Sequence, residues 1–359
     1  MKIIKPVFLF VILLCVRNTG FVFAQNVPPE LINPDTVPIP YCSDSVQIAP
    51  NISFKNLQFN ESNEGIKISI ANYKKDEDVL IYGDVNVSGI TPAWNSHNGY
   101  LELKGIASEE AYIEAVSNVY YKNIASTPTL GVRDISISLL DADYLPKTEH
   151  FYRYIASKGI KWTEARDAAA VLNYYGLQGY LVTITSAEEN DFVWSKINGV
   201  GWIGASDEVT EGEWYWMTGP EAGTQFWRGN YPNGSALSGA FAYWNNGEPN
   251  NVIKSWGDDE DYAHMVVAPD GKPKSWNDLS NEGDKNDPNG YYYPQGYVVE
   301  FGGMEDVKLN LSATAKVEVR KIAFSDDRDF AICAGDNQEL NITANANYVY
   351  SWSPNQDIS

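Results

Sequence analysis

Oxygen-bearing side chains are concentrated between Trp244 and Tyr262, in the stretch WNNGEPNNVIKSWGDDEDY. The residues concerned are Glu248, Asn250, Asn251, Asp258, Asp259, Glu260 and Asp261. Like charges repel, so this many carboxylates cannot all be buried without partners. A divalent cation held among them is one explanation, and a solvated acidic loop is the other.

More oxygen donors occur on both sides of this stretch. Asp207 and Glu211 precede it in SDEVTEGEW, and Asn277 and Asp278 follow it in SWNDL. Calcium takes about 6 to 8 oxygen ligands. Zinc and copper are disfavoured, since no cysteine is near and His264, in YAHMVV, fits a strand. If an ion is bound here, the residue types favour calcium.

The elements that must position these residues lie within residues 149–303. The first predicted helix, WTEARDAAAVLNYYG, runs to Gly176 and places Ala165, Ala169 and Leu172 on one face. The second helix, SAEENDFVWSKI, begins with a capping box from Ser186 to Glu189 and buries Phe192, Val193 and Ile197. Strand patterns follow in GWIGASD, EWYWMTG, YAHMVVA and YVVEF, with core positions for Trp202, Trp214, Trp216 and Trp227. This order predicts an α+β domain.

Six motifs in this region together resemble those of a C-type lectin-like domain. They are GYLVTITSAEEN, GWIGASDEVTEGEWYW, GEPNN, EDY, WNDL and GYVVEF, in that order. The resemblance covers residues 149–303. It implies a principal calcium site with a cis peptide bond at Glu248–Pro249 and with the ligands Glu248, Asn250, Glu260, Asn277 and Asp278.

The resemblance also implies how a sugar would bind. Two vicinal hydroxyls would enter the calcium shell, with Glu248 and Glu260 accepting hydrogen bonds from them and Asn250 and Asn277 donating. The order acid, proline, amide resembles the type that prefers mannose, glucose, N-acetylglucosamine or a fucose pair, whereas a QPD order would indicate galactose. A second, auxiliary calcium position would involve Asp207, Glu211, Asn251 and Asp261, together with Glu260.

Two features depart from the extracellular animal members of the family. Tyr262 and Val299 stand where cysteines are usual, so the sequence resembles the cysteine-free bacterial versions. The segment between Asn250 and Glu260 and the stretch SNEGDKNDPNGYYYPQG are longer than is common. Trp256, in the first insertion, is a candidate for stacking on a sugar, while Asp258 and Asp259 fit a solvated face.

The flanking regions predict further β domains, so the predicted fold class is multidomain. Residues 48–146 contain short alternating runs and a helix at SEEAYIEAVSNV, and resemble the cadherin-like, immunoglobulin-like β-sandwich repeats of bacterial surface proteins. Residues 25–47, with five prolines, predict a leader or linker. Residues 304–359 return to alternating strands and predict a partial immunoglobulin-like module, truncated at Ser359.

The beginning of the chain and its charge indicate where the protein works. Residues 1–24 fit a secretory signal peptide cleaved after Ala24, with no membrane insertion afterwards. The formal net charge of −21, without a basic stripe, argues against nucleic acid as a partner. Cys42 and Cys333 fall in different predicted domains, so a bridge between them is not expected.

The sequence therefore predicts calcium-dependent carbohydrate binding by a secreted or cell-surface adhesin, with glycans or glycoconjugates as partners. Two alternatives stay open: a display domain that binds no sugar, and the accessory module of a longer polysaccharide-degrading enzyme. The chain has no GxSxG motif, no phosphate loop and no nucleophile beside a base, so we do not expect it to be an enzyme.

Overall fold

The computed structural model describes residues 27–41, 44–61, 64–84, 86–199, 201–252, 259–265, 271–306 and 308–320. The predicted signal peptide, Cys42, Trp256, Asp258 and Cys333 lie outside these residues, as does most of the predicted module at 304–359. Within the described ranges, no helix is long and apolar enough to cross a membrane.

We call residues 27–139 the first unit. Its elements, in chain order, are β1 (Glu30–Ile32), β2 (Ile39–Tyr41), β3 (Val46–Gln47), β4 (Ser53–Lys55), β5 (Gly65–Ile70), β6 (Asp78–Tyr82), β7 (Thr91–Asn95), β8 (Tyr100–Lys104), α1 (Glu109–Ser117), β9 (Val119–Asn123) and β10 (Gly131–Leu139).

We call residues 143–301 the second unit. Its elements are β11 (Asp143–Leu145), β12 (His150–Ala156), α2 (Trp162–Ala170), β13 (Asn173–Tyr174), β14 (Leu177–Leu181), α3 (Ala187–Lys196), β15 (Gly201–Ser206), β16 (Glu213–Trp216), β17 (Gln225–Arg228), β18 (Ser235–Ala236), β19 (Tyr262–Met265), β20 (Trp276–Leu279) and β21 (Gly296–Phe301). One more strand, β22 (Ser312–Val319), follows it.

Alternating side chains build the first unit. On β5 and β8, Ile66, Ile68, Leu101 and Leu103 point into one core and are buried, while Lys67 points away from it. Burying each such aliphatic side chain contributes about 1.5–3 kcal/mol. The strands form a six-stranded sheet in the order β2-β22-β10-β5-β8-β7, beside a three-stranded sheet β3-β9-β6 and the pair β1-β4, all around a shared core.

Helix α1 begins after an N-cap at Ser108. The Ser108 hydroxyl oxygen accepts a hydrogen bond of 3.2 Å from the Ala111 N–H. On its inward face Val116 and Tyr112 are fully buried, the Tyr112 hydroxyl donates to the Gly105 carbonyl, and Ala111 and Ile113 are partly buried. An aromatic ring with a satisfied hydroxyl is accommodated in the core.

The proline-rich region 25–47 is not the leader or linker that its composition predicted. Its described residues form β1, β2 and β3, which pair with β4, β22 and β9 respectively. Proline is tolerated here because β2, which contains Pro40, is an edge strand of the six-stranded sheet. The region is therefore part of the first unit.

The strand β22 also departs from the predicted domain order. It was expected to begin a separate immunoglobulin-like module at residues 304–359, but it pairs antiparallel with β10 from Gly131–Val319 to Ser138–Ser312. Its alternate residues Ala313, Ala315, Val317 and Val319 are buried in the core of the first unit. The second unit is thus inserted between two neighbouring strands of the first.

The second unit combines one large sheet with two helices. Its strand order is β11-β12-β21-β15-β16-β17-β18, and β14 and β19 add to β21 and β15. Helix α3 and its Ser186 cap agree with the prediction, and Phe192 and Val193 are buried, but Ile197 lies just past the end of the helix and is only partly buried. Helix α2 ends at Ala170 and not near Gly176, because Asn173–Tyr174 turns back as a hairpin onto β14. Tyr175 and Gly176, with positive φ, form its two-residue turn.

A cluster of opposite charges joins the two units. Oδ1 of Asp143 lies 3.1 Å from Nζ of Lys67 on β5 and 3.2 Å from Nζ of Lys196 at the end of α3. The three side chains are only 13%, 12% and 8% exposed, respectively. These paired charges tie the segment entering the second unit to β5 of the first unit and to α3 of the second.

Candidate functional site

The candidate site is built at the end of β15 and on the loop before β19. Residues 243–245 lie beside β20, since Trp276 N–H donates to the Tyr243 carbonyl at 2.9 Å and Asn245 N–H donates to the Trp276 carbonyl at 2.8 Å. This pairing brings the GEPNN stretch next to Asn277 and Asp278. The peptide bond Glu248–Pro249 is cis, as predicted.

Asp278 organises the ligand loop, which we define as residues 248–252. Its Oδ2 accepts hydrogen bonds from the N–H groups of Asn250 at 2.9 Å and Asn251 at 2.8 Å. Asp278 is fully buried, and its second oxygen, Oδ1, has no hydrogen-bond partner. One carboxylate therefore holds the loop while presenting a free oxygen.

Glu260 closes the loop from the other side. Val252 N–H donates to Oε2 of Glu260 at 3.0 Å, and Glu260 N–H donates to the amide oxygen of Asn251 at 3.1 Å. These reciprocal bonds join the two ends of the segment between Val252 and Glu260. Four of the five predicted principal ligands, Glu248, Asn250, Glu260 and Asp278, interact within this small region.

Three buried oxygen atoms among the predicted ligands have no hydrogen-bond partner. They are Oε2 of Glu248, Oδ1 of Asn277 and Oδ1 of Asp278. An unsatisfied buried polar group costs about 1–3 kcal/mol, so three on neighbouring residues require an explanation. All three are the hard oxygen ligands that calcium takes. The residues present thus fit a bound calcium ion.

The electrostatics of the cluster agree with this fit. Burial raises the pKa of the Glu248 carboxyl to about 9, and the neighbouring charges of Asp278 and Glu260 add to the shift. Burial also raises the pKa of Asp278. Both shifts oppose the charged forms of these carboxyls, whereas a bound divalent ion would favour them.

The auxiliary acidic residues form a second group. One oxygen from each of Asp207, Glu211 and Asp261 lies within 4.8 Å of the others. Oδ2 of Asp207 accepts from Gly212 N–H at 2.8 Å, while its Oδ1 is buried without a partner. Burial raises the pKa of Asp207 to about 8 and that of Asp261 to about 6, and the neighbouring carboxylates act in the same direction.

The remaining predicted residues divide into several groups. The Asn251 amide oxygen is bonded to Glu260 N–H, and Nδ2 of Asn277 donates to the Asp278 carbonyl at 2.6 Å, so each is partly committed within the protein. Asp259 is exposed, as predicted. His264 is buried on β19, and Trp202, Trp214 and Trp216 are core residues, with Trp227 partly buried against them.

Tyr231 lies beside the site and was not predicted from the sequence. Tyr231 N–H donates a hydrogen bond of 2.7 Å to the carbonyl of Pro249, at the centre of the ligand loop. Tyr231 is 62% exposed. The turn composition of GNYPNG was a signal for a loop, but nothing in it indicated which element the loop would contact.

Comparison with known families identifies the domain that carries this geometry. Residues 161–286 match the family model of the lectin C-type domain. Residues 161–286 form a C-type lectin domain. The ligand loop and β20 fall within the matched residues, whereas the first unit does not. The preceding cadherin-like identity of the first unit stays a prediction.

Individual relatives match only parts of their own lengths. Halomucin of Haloquadratum walsbyi is 33% identical over 225 residues, which is 60% of this chain and 2% of that protein. The mouse CD209 antigen-like protein D is 39% identical over 107 residues, which is 29% of this chain and 34% of that protein. The chain therefore spans about a third or less of these two relatives.

A solved structure gives a weaker likeness. The human scavenger receptor C-type lectin carbohydrate-recognition domain is 20% identical and covers 45% of this chain and 95% of its own, with a TM-score of 0.29. A TM-score this low supports no conclusion about function, so the assignment of residues 161–286 depends on the family model.

Proposed function

We propose that the C-type lectin domain binds carbohydrate through a calcium ion held by Glu248, Asn250, Glu260, Asn277 and Asp278. The observation that carries the proposal is the set of three buried, unpartnered oxygens on Glu248, Asn277 and Asp278. Calcium accommodates more than six oxygen ligands, so such an ion can also accept hydroxyl oxygens of a sugar.

The protein's own residues would orient the sugar. Carboxylates on Glu248 and Glu260 accept hydrogen bonds from hydroxyl groups, and the amide of Asn250 donates. This alternation of acceptor and donor distinguishes sugars by the direction of neighbouring hydroxyls. The Glu-Pro-Asn order supports mannose, glucose, N-acetylglucosamine or fucose as the ligand class.

Asp207, Glu211, Asn251 and Asp261 are proposed to hold an auxiliary ion that shapes the loop. Asp207 N–H donates to the carbonyl of Asp261 at 3.2 Å, so the auxiliary group is directly connected to the chain segment that carries Glu260. An ion here would reduce repulsion among these carboxylates and stabilise that segment.

We further propose that the protein acts outside the cell, as a secreted or surface-associated adhesin that recognises glycans or glycoconjugates. The signal-like residues 1–24 and the net charge of −21 support this setting. The role is one of binding and not of catalysis, because interleaved amides suit ion coordination better than proton transfer.

Affinity chromatography of the chain tests the proposal. On immobilised mannose we expect retention with calcium, release by EDTA and no retention on immobilised galactose. Asp278→Asn should abolish retention, while Asp259→Asn, an exposed acid next to Glu260, should leave it unchanged. Retention that survives EDTA would overturn calcium dependence. Calcium binding without retention on any sugar matrix would favour a display domain instead.

A further inference from the structure

An exposed tyrosine stands beside the ligand loop on a turn that the protein holds firmly. Tyr231 lies in the turn of residues 229–234 between β17 and β18. With 62% of its surface exposed, its side chain contributes little to the core.

Hydrogen bonds fix the backbone of this turn. Gly229 N–H donates to the Gly212 carbonyl at 2.7 Å, and Nε1 of Trp227 donates to the Gly229 carbonyl at 2.7 Å. Gly234 N–H donates to the Asn230 carbonyl at 2.9 Å. The main chain on both sides of Tyr231 is thus bonded, and the side chain extends from an ordered support.

The same turn connects the two groups of acidic residues. Tyr231 N–H donates to the Pro249 carbonyl, between Glu248 and Asn250, at 2.7 Å. Nδ2 of the preceding residue, Asn230, donates to Oε1 of Glu211 in the auxiliary group. Tyr231 therefore keeps a fixed distance from the site at which the proposed ion would bind.

This placement suits an aromatic contact with carbohydrate. Tyrosine supplies a large, rigid apolar face and loses little conformational entropy when it binds. The unpartnered oxygens of Glu248 and Asp278 are buried, whereas the Tyr231 side chain is exposed to solvent. An exposed side chain on a turn that is bonded to Pro249 is available to a sugar residue next to the one held at the ion.

We propose that Tyr231 packs against the sugar residue that neighbours the ion-bound residue, so that the domain recognises an oligosaccharide and not a single sugar. This inference rests on the proposed function. Tyr231 determines specificity and would not hold the ion. Its contribution appears only when a second sugar residue is present.

Titration calorimetry with the full chain and calcium tests the inference, using methyl α-mannoside and a panel of mannobioses of differing linkage. We expect at least one mannobiose to bind about five- to tenfold more tightly than the monosaccharide, equivalent to about 1–1.4 kcal/mol. Tyr231→Ala should remove this gain and leave monosaccharide affinity unchanged, whereas Tyr231→Phe should keep it. Tyr291→Ala is the matched control, because Tyr291 is 51% exposed and lies near Gly199, at the other end of β15.

The possible results separate the two proposals. If the Tyr231→Ala variant keeps the gain, or loses affinity for both ligands equally, the inference is wrong. If the wild type binds the monosaccharide with calcium and gains nothing from a second residue, only the inference fails. If the wild type binds neither ligand in a calcium-dependent way, the proposed function fails, and the inference fails with it.

Discussion

The N–H of Asn250 donates a hydrogen bond of 2.9 Å to Oδ2 of Asp278, across 28 positions of sequence. This bond places a loop amide and a strand carboxylate around the same point. The second oxygen of Asp278, Oδ1, accepts no hydrogen bond and is available to the proposed ion. The arrangement leads to a prediction that separates support of the loop from coordination of the ion.

Asp278→Asn should reduce the free energy of calcium binding by more than it reduces the free energy of unfolding. The amide oxygen can still accept from the loop, but one charged ligand is lost, so we expect at least the roughly 10- to 100-fold loss seen when a supporting residue is removed. Calcium titration by calorimetry measures it. Asp259→Asn serves as control, with unchanged affinity. An Asp278→Asn variant with wild-type affinity would remove Asp278 from the site.

Without calcium, the stability of the protein should fall as pH rises from about 5 to 9. The pKa values of Glu248, Asp207 and Asp261 are raised in the folded protein, to about 9, about 8 and about 6. The folded state therefore binds more protons than the unfolded chain between the ordinary and raised pKa values, and linkage makes stability decrease with pH in that window. Thermal unfolding in EDTA measures it.

Bound calcium should oppose the loss of stability at higher pH. Calcium binds the deprotonated ligands, so the affinity of the protein for calcium rises with pH. The double variant Asp207→Asn with Glu248→Gln should reduce the pH dependence of stability in EDTA, most of all above about pH 7. A melting temperature in EDTA that rises between about pH 5 and pH 9 would contradict the assigned direction of these shifts.

Exchanging Glu248→Gln together with Asn250→Asp should move sugar preference toward galactose. The exchange swaps the order of acceptor and donor around Pro249 without changing side-chain size. A glycan array with calcium measures the preference, and Asn289→Asp, an exposed residue near Gly199 at the other end of β15, is the control. An unchanged array profile would count against the mannose-type assignment.

Asp143→Asn should destabilise the protein by about 3 kcal/mol, the lower end for breaking a buried ion pair. It would leave two little-exposed lysines without their carboxylate, although burial already lowers the pKa of Lys196, which eases loss of its proton. Urea unfolding provides the measurement. Asp141→Asn removes a more exposed pair with Arg153 and should cost no more than about 1 kcal/mol. Equal losses in both variants would show that the junction is not buried in solution.

A chain ending at residue 306 should lose cooperative folding of the first unit, whereas one ending at residue 320 should keep it. The shorter chain lacks β22, whose partners β2 and β10 would then expose unpaired edges. Limited proteolysis and amide hydrogen exchange provide the test. Equal protection of β10 in both chains would favour the separate-module prediction.

Local patterns predicted much of the fold. The alternation of Ile66 and Ile68 identified β5, and the Ser186 cap identified α3, because both signals depend on residues close in sequence. The joining of β2 and β22 depends on residues far apart, Ile39 and Val317, and no local pattern specifies such a pair. The strand β22 was therefore recognised as a strand but assigned to a separate module.

The same distinction applies to the site. Glu248, Asn250 and Asp278 were identified through motifs that resemble a family. Tyr231 belongs to a turn whose place is fixed by Gly212 and Pro249. Lys67 and Lys196 share the carboxylate of Asp143 only because the two units pack together. Contacts set by tertiary packing leave little trace in a single sequence.

The parallel pairing of β2 and β22 has a mechanical consequence. A force pulling the chain in opposite directions before β2 and after β22 would load their hydrogen bonds lengthwise and together, in shear. The lectin domain is inserted between β10 and β22 and therefore lies outside the path along which the β2–β22 pair transmits the force. Its ligand loop would keep its geometry while the protein is under load.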